Sequence, residues 1–477
     1  MFLLLDTKEQ LEINLINLLL NNEQWLTINE AAIALNSTSS KIYTAIQNIT
    51  DRELDENLVI NSQRNYGFII DNKNSIDIDE IINKYIVASI PFKILDSAFQ
   101  KRTNIKKFCI EHHISPSKFY RSAKVANSLL TPNQLNLNTK DLMIEGNEIY
   151  IREFMYYFYW DSFKGNSWPF ETIHNVAAIE QIEQLSKKLH WNLNPFEYTQ
   201  LAYRLAVTTL RYQRKNFVQK VPYSAIIPPI VKKLTSENLH DLLLSKLPLS
   251  IKKHEIDYLA LIVGSYPWAD AVKISAAPLV RWHKKKQTLP YRMTEFFVSI
   301  IKDNSHIDIN DAAWLNLIHI HMYAISFPSL HVAIDLMSVY QDNYRSIYPE
   351  ISANVDKLID LIRTQFQEYP LIGSIYFSYY YTLFYLKYIE STSQKKLNIF
   401  LFINKDRVFV ESIINHLQDT IPYEVTISTS IQADFEPDLV ISNSRATPKL
   451  DVPIFYTAFP LSSEDIQRLT DMIKALI

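Results

Sequence analysis

The chain has 477 residues, of which 47% are hydrophobic, and its formal net charge at neutral pH is −3. This length suffices for roughly three to five domains, and the hydrophobic fraction excludes a disordered chain. Its five glycines are far apart, which excludes a glycine-rich phosphate loop and most nucleotide-dependent enzymes. The single cysteine, Cys109, excludes internal disulfides and cysteine-cluster zinc sites, and its apolar neighbours predict a small core residue.

The N-terminal segment does not have the pattern of a signal peptide. Its tip, MFLLL, is apolar, but Asp6, Lys8, Glu9 and Glu12 follow within two helical turns. The segment lacks a basic start and a small-residue cleavage site. No stretch of about eighteen uncharged apolar residues occurs elsewhere. We therefore expect a cytoplasmic protein with no membrane partner.

Residues 1–75 predict a winged helix-turn-helix domain, after an amphipathic helix over 9–20. In LTINEAAIALNSTSSKIYTAIQNI, a helix ends at Ala34, a break follows, and a second helix runs from Ser39 to Ile49. LVINSQRNYGFII predicts two strands around a turn at residues 61–65, the wing of the domain. The candidate DNA contacts of this module are Ser39, Lys41 and Tyr43 on the second helix and Arg64 in the wing.

Residues 76–160 repeat this arrangement. In TNIKKFCIEHHISPSKFYRSAKVANSLL we predict a helix over Asn104–His113, a break, and a second helix from about Ser117, capped by Ser115 or Ser117. The predicted buried side of the second helix is Phe119, Ala123, Ala126, Leu129 and Leu130. DLMIEGNEIYIREF predicts a hairpin with strands Leu142–Ile144 and Ile149–Ile151.

Positive charge is concentrated in this second module. Seven Lys and Arg residues lie between Ser97 and Val125, against the single acidic residue Glu111. The predicted DNA contacts are Lys106 and Lys107 on its first helix and Ser117, Lys118, Tyr120, Arg121 and Lys124 on its second. Such a face can pair with phosphates and reach base edges in the major groove, although a merely solvated basic helix face has the same pattern. The first module either assists binding or serves structure.

The rest of the chain divides into helical and α/β parts. Long amphipathic helices interrupted by prolines predict two bundles, over 161–285 and 286–390, with a break at Leu289-Pro290. From 396 to 477 strands alternate with helices, which predicts a small, mostly parallel α/β domain. The fold class is therefore multidomain and mainly α.

Nothing in the pattern of titratable residues favours catalysis. His319 and His321 are two residues apart, so a helix directs their rings away from each other, and no carboxylate follows at the spacing of a metal site. No Ser-His-Asp arrangement is distinguishable from background. We expect no enzyme activity, no metal and no cofactor.

The order of these parts resembles the Mga/AtxA family of virulence regulators. The resemblance rests on the two helix-turn-helix segments, on MIEGNEIYIREFMYYFYW and on LAYRLAVTTLRYQRKN, which looks like the core helix of a first phosphotransferase-regulated domain (PRD). It implies tandem winged helix-turn-helix domains, two PRD-like bundles and a C-terminal domain similar to the EIIB component of sugar transport. It also implies a transcriptional regulator that binds double-stranded DNA as a homodimer and is controlled by histidine phosphorylation from a phosphocarrier protein.

Two departures from the family pattern concern this control. Arg204 stands where related domains commonly have a histidine, and YFSYYYTLFYLKY near the end of the second bundle has no histidine. The remaining candidate phosphorylation sites are His319, His321, His331 and His190. The loop INKDRVF lacks the cysteine of true EIIB proteins, so the C-terminal domain is interpreted as a dimerisation module.

Two alternatives stay open at this point. PRD-containing RNA-binding antiterminators share the regulatory bundles, but they begin with a small β-rich RNA domain, whereas this chain begins with helices. A non-catalytic interaction protein of the phosphotransferase system would leave the basic helix unexplained.

Overall fold

In a computed structural model, the chain consists of two compact units, residues 1–382 and 383–477. The structure describes residues 2–52, 54, 58–64, 66–71, 73, 76–100, 103–189, 193–239, 247–265, 276–304, 309–331, 344–390, 397–403, 407–421, 423, 425–430, 435–444, 450–474 and 476.

The first module consists of three helices followed by a two-stranded antiparallel sheet, as predicted. Its elements are α1 (Thr7–Leu20), α2 (Ile28–Ala34), α3 (Ser39–Arg52), β1 (Ile60–Gln63) and β2 (Gly67–Ile70). The strands pair from Ile60 opposite Ile70 to Gln63 opposite Gly67. Residues 61–63 therefore belong to β1, and the prediction that they form the turn is wrong. The turn is shorter than predicted, because the return strand already begins at Gly67. This position requires glycine: its φ is 110°, and an added Cβ would lie 2.1 Å from the Leu26 carbonyl oxygen.

The second module has two helices in front of its helix-turn-helix that the sequence analysis did not describe. Its elements are α4 (Ile78–Ala88), α5 (Ile90–Gln100), α6 (Ile105–Glu111), α7 (Pro116–Leu130), β3 (Asn136–Asn138), β4 (Met143–Glu145) and α8 (Glu148–Phe163). Ser115 caps α7, and Pro116 is the first residue of the helix. Of the two predicted caps, Ser115 and Ser117, the first is therefore the one observed. All five residues predicted for the inner side of α7 are buried.

The predicted hairpin is wrong in its second half. Met143–Glu145 is a strand, but its partner is the upstream segment Asn136–Asn138. Residues 149–151 lie in α8, whose N-cap Asn147 accepts a hydrogen bond from the Ile149 amide. The alternation of Ile149 and Ile151 imitates a strand because α8 is buried nearly all round, which removes the polar face that identifies a helix.

The helical middle of the chain begins after α8. It comprises α9 (Asn175–Leu189), α10 (Pro195–Gln213), α11 (Pro229–Leu239), α12 (Leu249–Ser265), α13 (Ala276–Lys286), α14 (Leu289–Asn304), α15 (Asp311–Ser326), α16 (Pro349–Gln365) and α17 (Ser374–Tyr385). α13 packs against α14 and α15, and α12 also packs against α15. The limits 161–285 and 286–390 of two separate bundles stay a prediction.

Buried ion pairs connect α8 to this helical middle. Arg152 is fully buried and donates from both Nη atoms to Glu255 of α12, at 2.8 and 3.0 Å. Glu153, also fully buried, accepts from Arg204 of α10 at 2.5 Å and from the Tyr323 hydroxyl of α15 at 3.1 Å. Charged groups are buried in this way only when paired, so α8 belongs as much to the helical middle as to the second module.

The second unit contains the α/β domain predicted from the sequence. Its elements are β5 (Leu397–Phe402), α18 (Arg407–Thr420), β6 (Val425–Ser428), β7 (Leu439–Ser442), β8 (Ile454–Tyr456) and α19 (Ser463–Lys474). The strand order is β6-β5-β7-β8, and each pair is parallel. Leu401 of β5, Leu417 of α18 and Leu469 of α19 are among its buried core residues.

Within the described residues, every helix is too short or too polar to cross a membrane.

Candidate DNA interface

The two helix-turn-helix segments have the same backbone framework, residue for residue. In the first, the Leu35 amide donates to Ala31 and the Ser37 amide to Ala32, at 3.0 and 2.8 Å. In the second, the His112 amide donates to Phe108 and the Ile114 amide to Cys109, both at 3.0 Å. A left-handed residue ends the first helix in each module, Asn36 at φ 47° and His113 at φ 52°. The two modules are therefore copies of one local structure.

Side-chain caps fix the start of each second helix at the equivalent position. The Thr38 hydroxyl accepts from the Lys41 amide at 3.4 Å, and the Ser115 hydroxyl accepts from the Lys118 amide at 3.2 Å. Behind these caps, Ile42 and Phe119 occupy the same position and are both fully buried. Cap and buried residue together determine which side of α3 and of α7 is presented to solvent.

The presented sides share a Lys-x-Tyr pair. Lys41 and Lys118 are exposed at equivalent positions. Two residues later, Tyr43 is 51% exposed and Tyr120 is 54% exposed. Exposed lysine and tyrosine side chains suit a nucleic acid, because Lys and Tyr are common donors to phosphate oxygens.

The modules differ in charge around this pair. Thr44 and Gln47 of α3 correspond to Arg121 and Lys124 of α7, and all four side chains are exposed. Similarly, Glu30 of α2 corresponds to Lys107 of α6, and Glu30 is occupied in a capping box with Thr27. The second module therefore presents a basic surface, whereas the corresponding helices of the first present one lysine and one glutamate, Lys41 and Glu30.

The remaining predicted contacts are exposed too. Lys106 and Lys107 lie on α6, and Ser117 lies in the first turn of α7. Ser39 starts α3, and its hydroxyl donates to the Asn29 side chain at 2.8 Å. Arg64 is exposed in the turn between β1 and β2. The exposure predicted for these residues is seen, and their contact with DNA stays a prediction.

Sequence reasoning missed one cation at this surface. Lys140 is exposed in the turn between β3 and β4, which is the wing of the second module, as Arg64 is exposed in the wing of the first. It was overlooked because the hairpin was predicted downstream of its true position. The alternation of Leu135 and Leu137 with asparagines, followed by Asn-Thr-Lys-Asp, was the available signal.

The candidate phosphorylation sites are in contrasting environments. His319 and His321 of α15 are buried, whereas His331 is exposed and its backbone amide donates to the Asn133 side chain at 2.7 Å. His321 is held between the Thr294 hydroxyl, 2.8 Å from Nδ1, and the Tyr381 hydroxyl, 2.6 Å from Nε2. Burial lowers the pKa of His321 to about 3, which keeps the ring uncharged. His190 lies outside the described residues.

Arg204, which the PRD resemblance aligned with a histidine position, is part of a buried ion pair. Its guanidinium pairs with Glu153 and lies 3.7 Å from the centre of the Tyr156 ring. Cys109 is buried in the core of the second module, as predicted, and burial raises the pKa of its thiol. Among the residues that the structure describes, no three His, Cys, Asp or Glu side chains are grouped as a metal ion would require.

The fold thus defines a tandem helix-turn-helix protein. Comparison with known proteins identifies the type of each helix-turn-helix domain. Residues 6–66 match the helix-turn-helix domain of the M protein trans-acting positive regulator (MGA), and residues 74–159 match the Mga helix-turn-helix domain. Both matched domains are those of Mga-family regulators, and the resemblance noted in the sequence is confirmed.

Among curated proteins, the relatives come from Bacillus anthracis. The capsule synthesis positive regulator AcpA is 22% identical over 307 residues, which cover 63% of this chain and 62% of AcpA. The anthrax toxin expression trans-acting positive regulator is 23% identical over 255 residues, 52% of either chain. The capsule synthesis positive regulator AcpB is 25% identical over 215 residues, 45% of this chain and 44% of AcpB. The matches therefore span about half to two thirds of those relatives' length.

Proposed function

We propose that this chain is a DNA-binding transcriptional regulator, that α7 is its principal reading element, and that it acts positively on its targets. The observation that carries the proposal is the exposed basic face of α7, mounted on a helix-turn-helix whose family match covers residues 74–159. A recognition helix in the major groove needs a fixed cap, a buried inner side and exposed donors, and α7 has all three. Positive action is proposed because the relatives named above are positive regulators.

The first module contributes to the same interface through Lys41 and Tyr43. Its shared framework supports insertion of α3 in the same manner, and its lower charge predicts a smaller share of the phosphate contacts. The proposal therefore assigns most of the electrostatic affinity to α7.

The test is binding of the full chain to promoter-length duplex DNA across a salt series. Neutralising Lys118, Arg121 and Lys124 together with alanine removes up to three phosphate contacts. The log-log salt slope should flatten by up to roughly 2.7 units, and affinity should fall for all sequences alike. A matched control is alanine at Lys284, Lys285 and Lys286, three exposed lysines at the end of α13, which carries the same change of charge.

Equal slopes for the α7 variant and the α13 variant would mean that net charge, and not the recognition helix, controls binding. Failure of the wild type to bind duplex DNA would remove the proposal altogether and favour RNA or a protein as the partner.

Finer assignments belong to the same proposal. The separate parallel α/β unit is proposed as an EIIB-like dimerisation module, which gives a homodimer with two sets of reading helices. Analytical ultracentrifugation of the full chain tests this, and a concentration-independent monomer would contradict it. The helical middle is proposed to be PRD-like and to receive phosphate from a phosphocarrier protein. Of the described candidates, His331 has the exposure such a transfer needs.

A further inference from the structure

A cavity of about 480 Å³ lies at the junction between the second module and the helical middle. One wall comes from the start of α6 and from the wing turn, with Lys107 and Asp141. The other comes from the end of α10 and the loop after it, with Arg211, Arg214 and Asn216. Cavities of this size accommodate small organic ligands and use a few polar groups to orient them.

Among the charged residues that line this junction cavity, cations outnumber carboxylates. Lys107, Arg211 and Arg214 line it, while Asp141 is the single carboxylate among its described lining residues. Thr103 and Asn104 add a hydroxyl and an amide. This donor set fits a small anion, because ammonium and guanidinium groups form short, charge-assisted hydrogen bonds to anionic oxygens.

Arg211 lines the cavity and is fixed by hydrogen bonds to Glu148. It is only 5% exposed, and Glu148 accepts from its Nε at 2.8 Å and from its Nη2 at 2.7 Å. The Phe99 ring centre lies 5.7 Å from the guanidinium carbon. These contacts hold the guanidinium in one orientation, and Nη1 has no acceptor among the described residues. Nη1 is therefore the part of the guanidinium that can donate to a bound anion.

We propose that the junction cavity binds a small phosphate-bearing molecule, with Arg211 and Lys107 as its cationic contacts. The guanidinium of Arg211 is held in place and presents a planar edge of N–H donors to the ligand. Lys107 lies on the opposite wall, and its flexible side chain can approach the ligand from there. Such a ligand contacts α6 of the DNA-reading module and α10 of the helical middle at once. Binding therefore stabilises one arrangement of the second module relative to the helical middle. No histidine is among the described residues that line the site.

The test is thermal unfolding of the full chain in a millimolar series of inorganic phosphate, with ionic strength held constant by chloride. Wild type should show a saturable rise in Tm, as expected for a ligand that binds only the folded state. Lys107→Ala should weaken the apparent affinity about tenfold or more. Lys106→Ala is the matched control, because Lys106 is the adjacent exposed lysine of α6 and does not line the cavity. It should stay within about twofold of wild type.

Arg214→Gln is a second variant with an expected loss of affinity, since Arg214 lines the cavity from the opposite wall. Arg211 is left unchanged, because its removal would leave Glu148 without its cation. The absence of a phosphate-dependent rise in wild type, or equal losses for Lys106→Ala and Lys107→Ala, overturns the proposal.

The titration contains no DNA, so its outcome is independent of whether the chain binds DNA. A separate salt series with duplex DNA covers the other source of phosphate. If free phosphate has no effect while Lys107→Ala flattens the DNA salt slope more than Lys106→Ala does, the cavity receives a phosphate of the duplex, and the small-molecule proposal is wrong.

Discussion

The two helix-turn-helix modules have the same backbone hydrogen bonds and different surfaces. Asn36 and His113 turn the chain in the same way, and Ile42 and Phe119 fill the same position in the core. Thr44 and Gln47 of the first module, in contrast, correspond to Arg121 and Lys124 of the second. The charge on the exposed side of such a helix can therefore differ without any change in the local fold, because exposed side chains contribute little to packing.

The modules also differ in how they are anchored. Buried Glu12 of α1 accepts hydrogen bonds from Tyr85 at 2.8 Å and from Asn48 at 2.7 Å, and Arg52 approaches it at 3.5 Å from a half-exposed position. In α8, Arg152 and Glu153 are fully buried and pair with three helices of the middle of the chain. The second module is thus joined to the helical middle by desolvated charge pairs.

The largest expected effect tests this difference in anchoring. Arg204→Met leaves Glu153 buried without its cation and should lower the free energy of unfolding by about 3–5 kcal/mol. Arg52→Ala is the matched change in the first module and should cost less than about 1 kcal/mol, because this arginine is half exposed. Urea denaturation of both variants measures the two values. Similar losses would show that the two anchors are equivalent.

A change of pH should next distinguish the helical middle from the first module. Burial lowers the pKa of His321 to about 3, from an ordinary value of 6.5. Because the unfolded chain binds the proton and the folded chain does not, stability falls as pH decreases from 6.5 towards 3, by up to roughly 1.4 kcal/mol per pH unit.

The control for this prediction is His321→Gln, which cannot titrate in this range and keeps hydrogen-bonding groups beside Thr294 and Tyr381. Its free energy of unfolding should depend less steeply on pH than that of the wild type. Hydrogen exchange should locate the loss in α14 and α15 and leave α1–α3 protected. An identical pH dependence for variant and wild type would contradict the assignment.

The smallest expected effect comes from adding the charges of α7 to α3. It also compares the two modules most directly. Thr44→Arg with Gln47→Lys places the two additional cations of α7 on α3. If α3 enters a groove as α7 does, the DNA salt slope should steepen by up to roughly 1.8 units. An unchanged slope would mean that the first module stays away from the duplex and serves structure.

Local patterns were sufficient for much of this molecule. The cap Ser115, the buried stripe from Phe119 to Leu130 and the exposed Lys118 and Arg121 follow from residues within two or three turns of each other. The strands of the α/β unit were equally visible, because short apolar runs between turns are typical of a parallel sheet. In both cases the information that determines the element is contained in the element itself.

The sequence by itself thus determined the duplicated helix-turn-helix, the basic face of α7 and the parallel sheet. Only the tertiary structure decided that residues 149–151 are helical and that Arg152, Glu153 and Arg204 are buried. Arg152 meets Glu255, a residue 103 positions away, and Glu153 meets Tyr323, 170 positions away. From the sequence alone, a charged residue indicates an exposed face. Its burial can be recognised only when its distant partner is known, because a charge is stable in the interior only when it is paired.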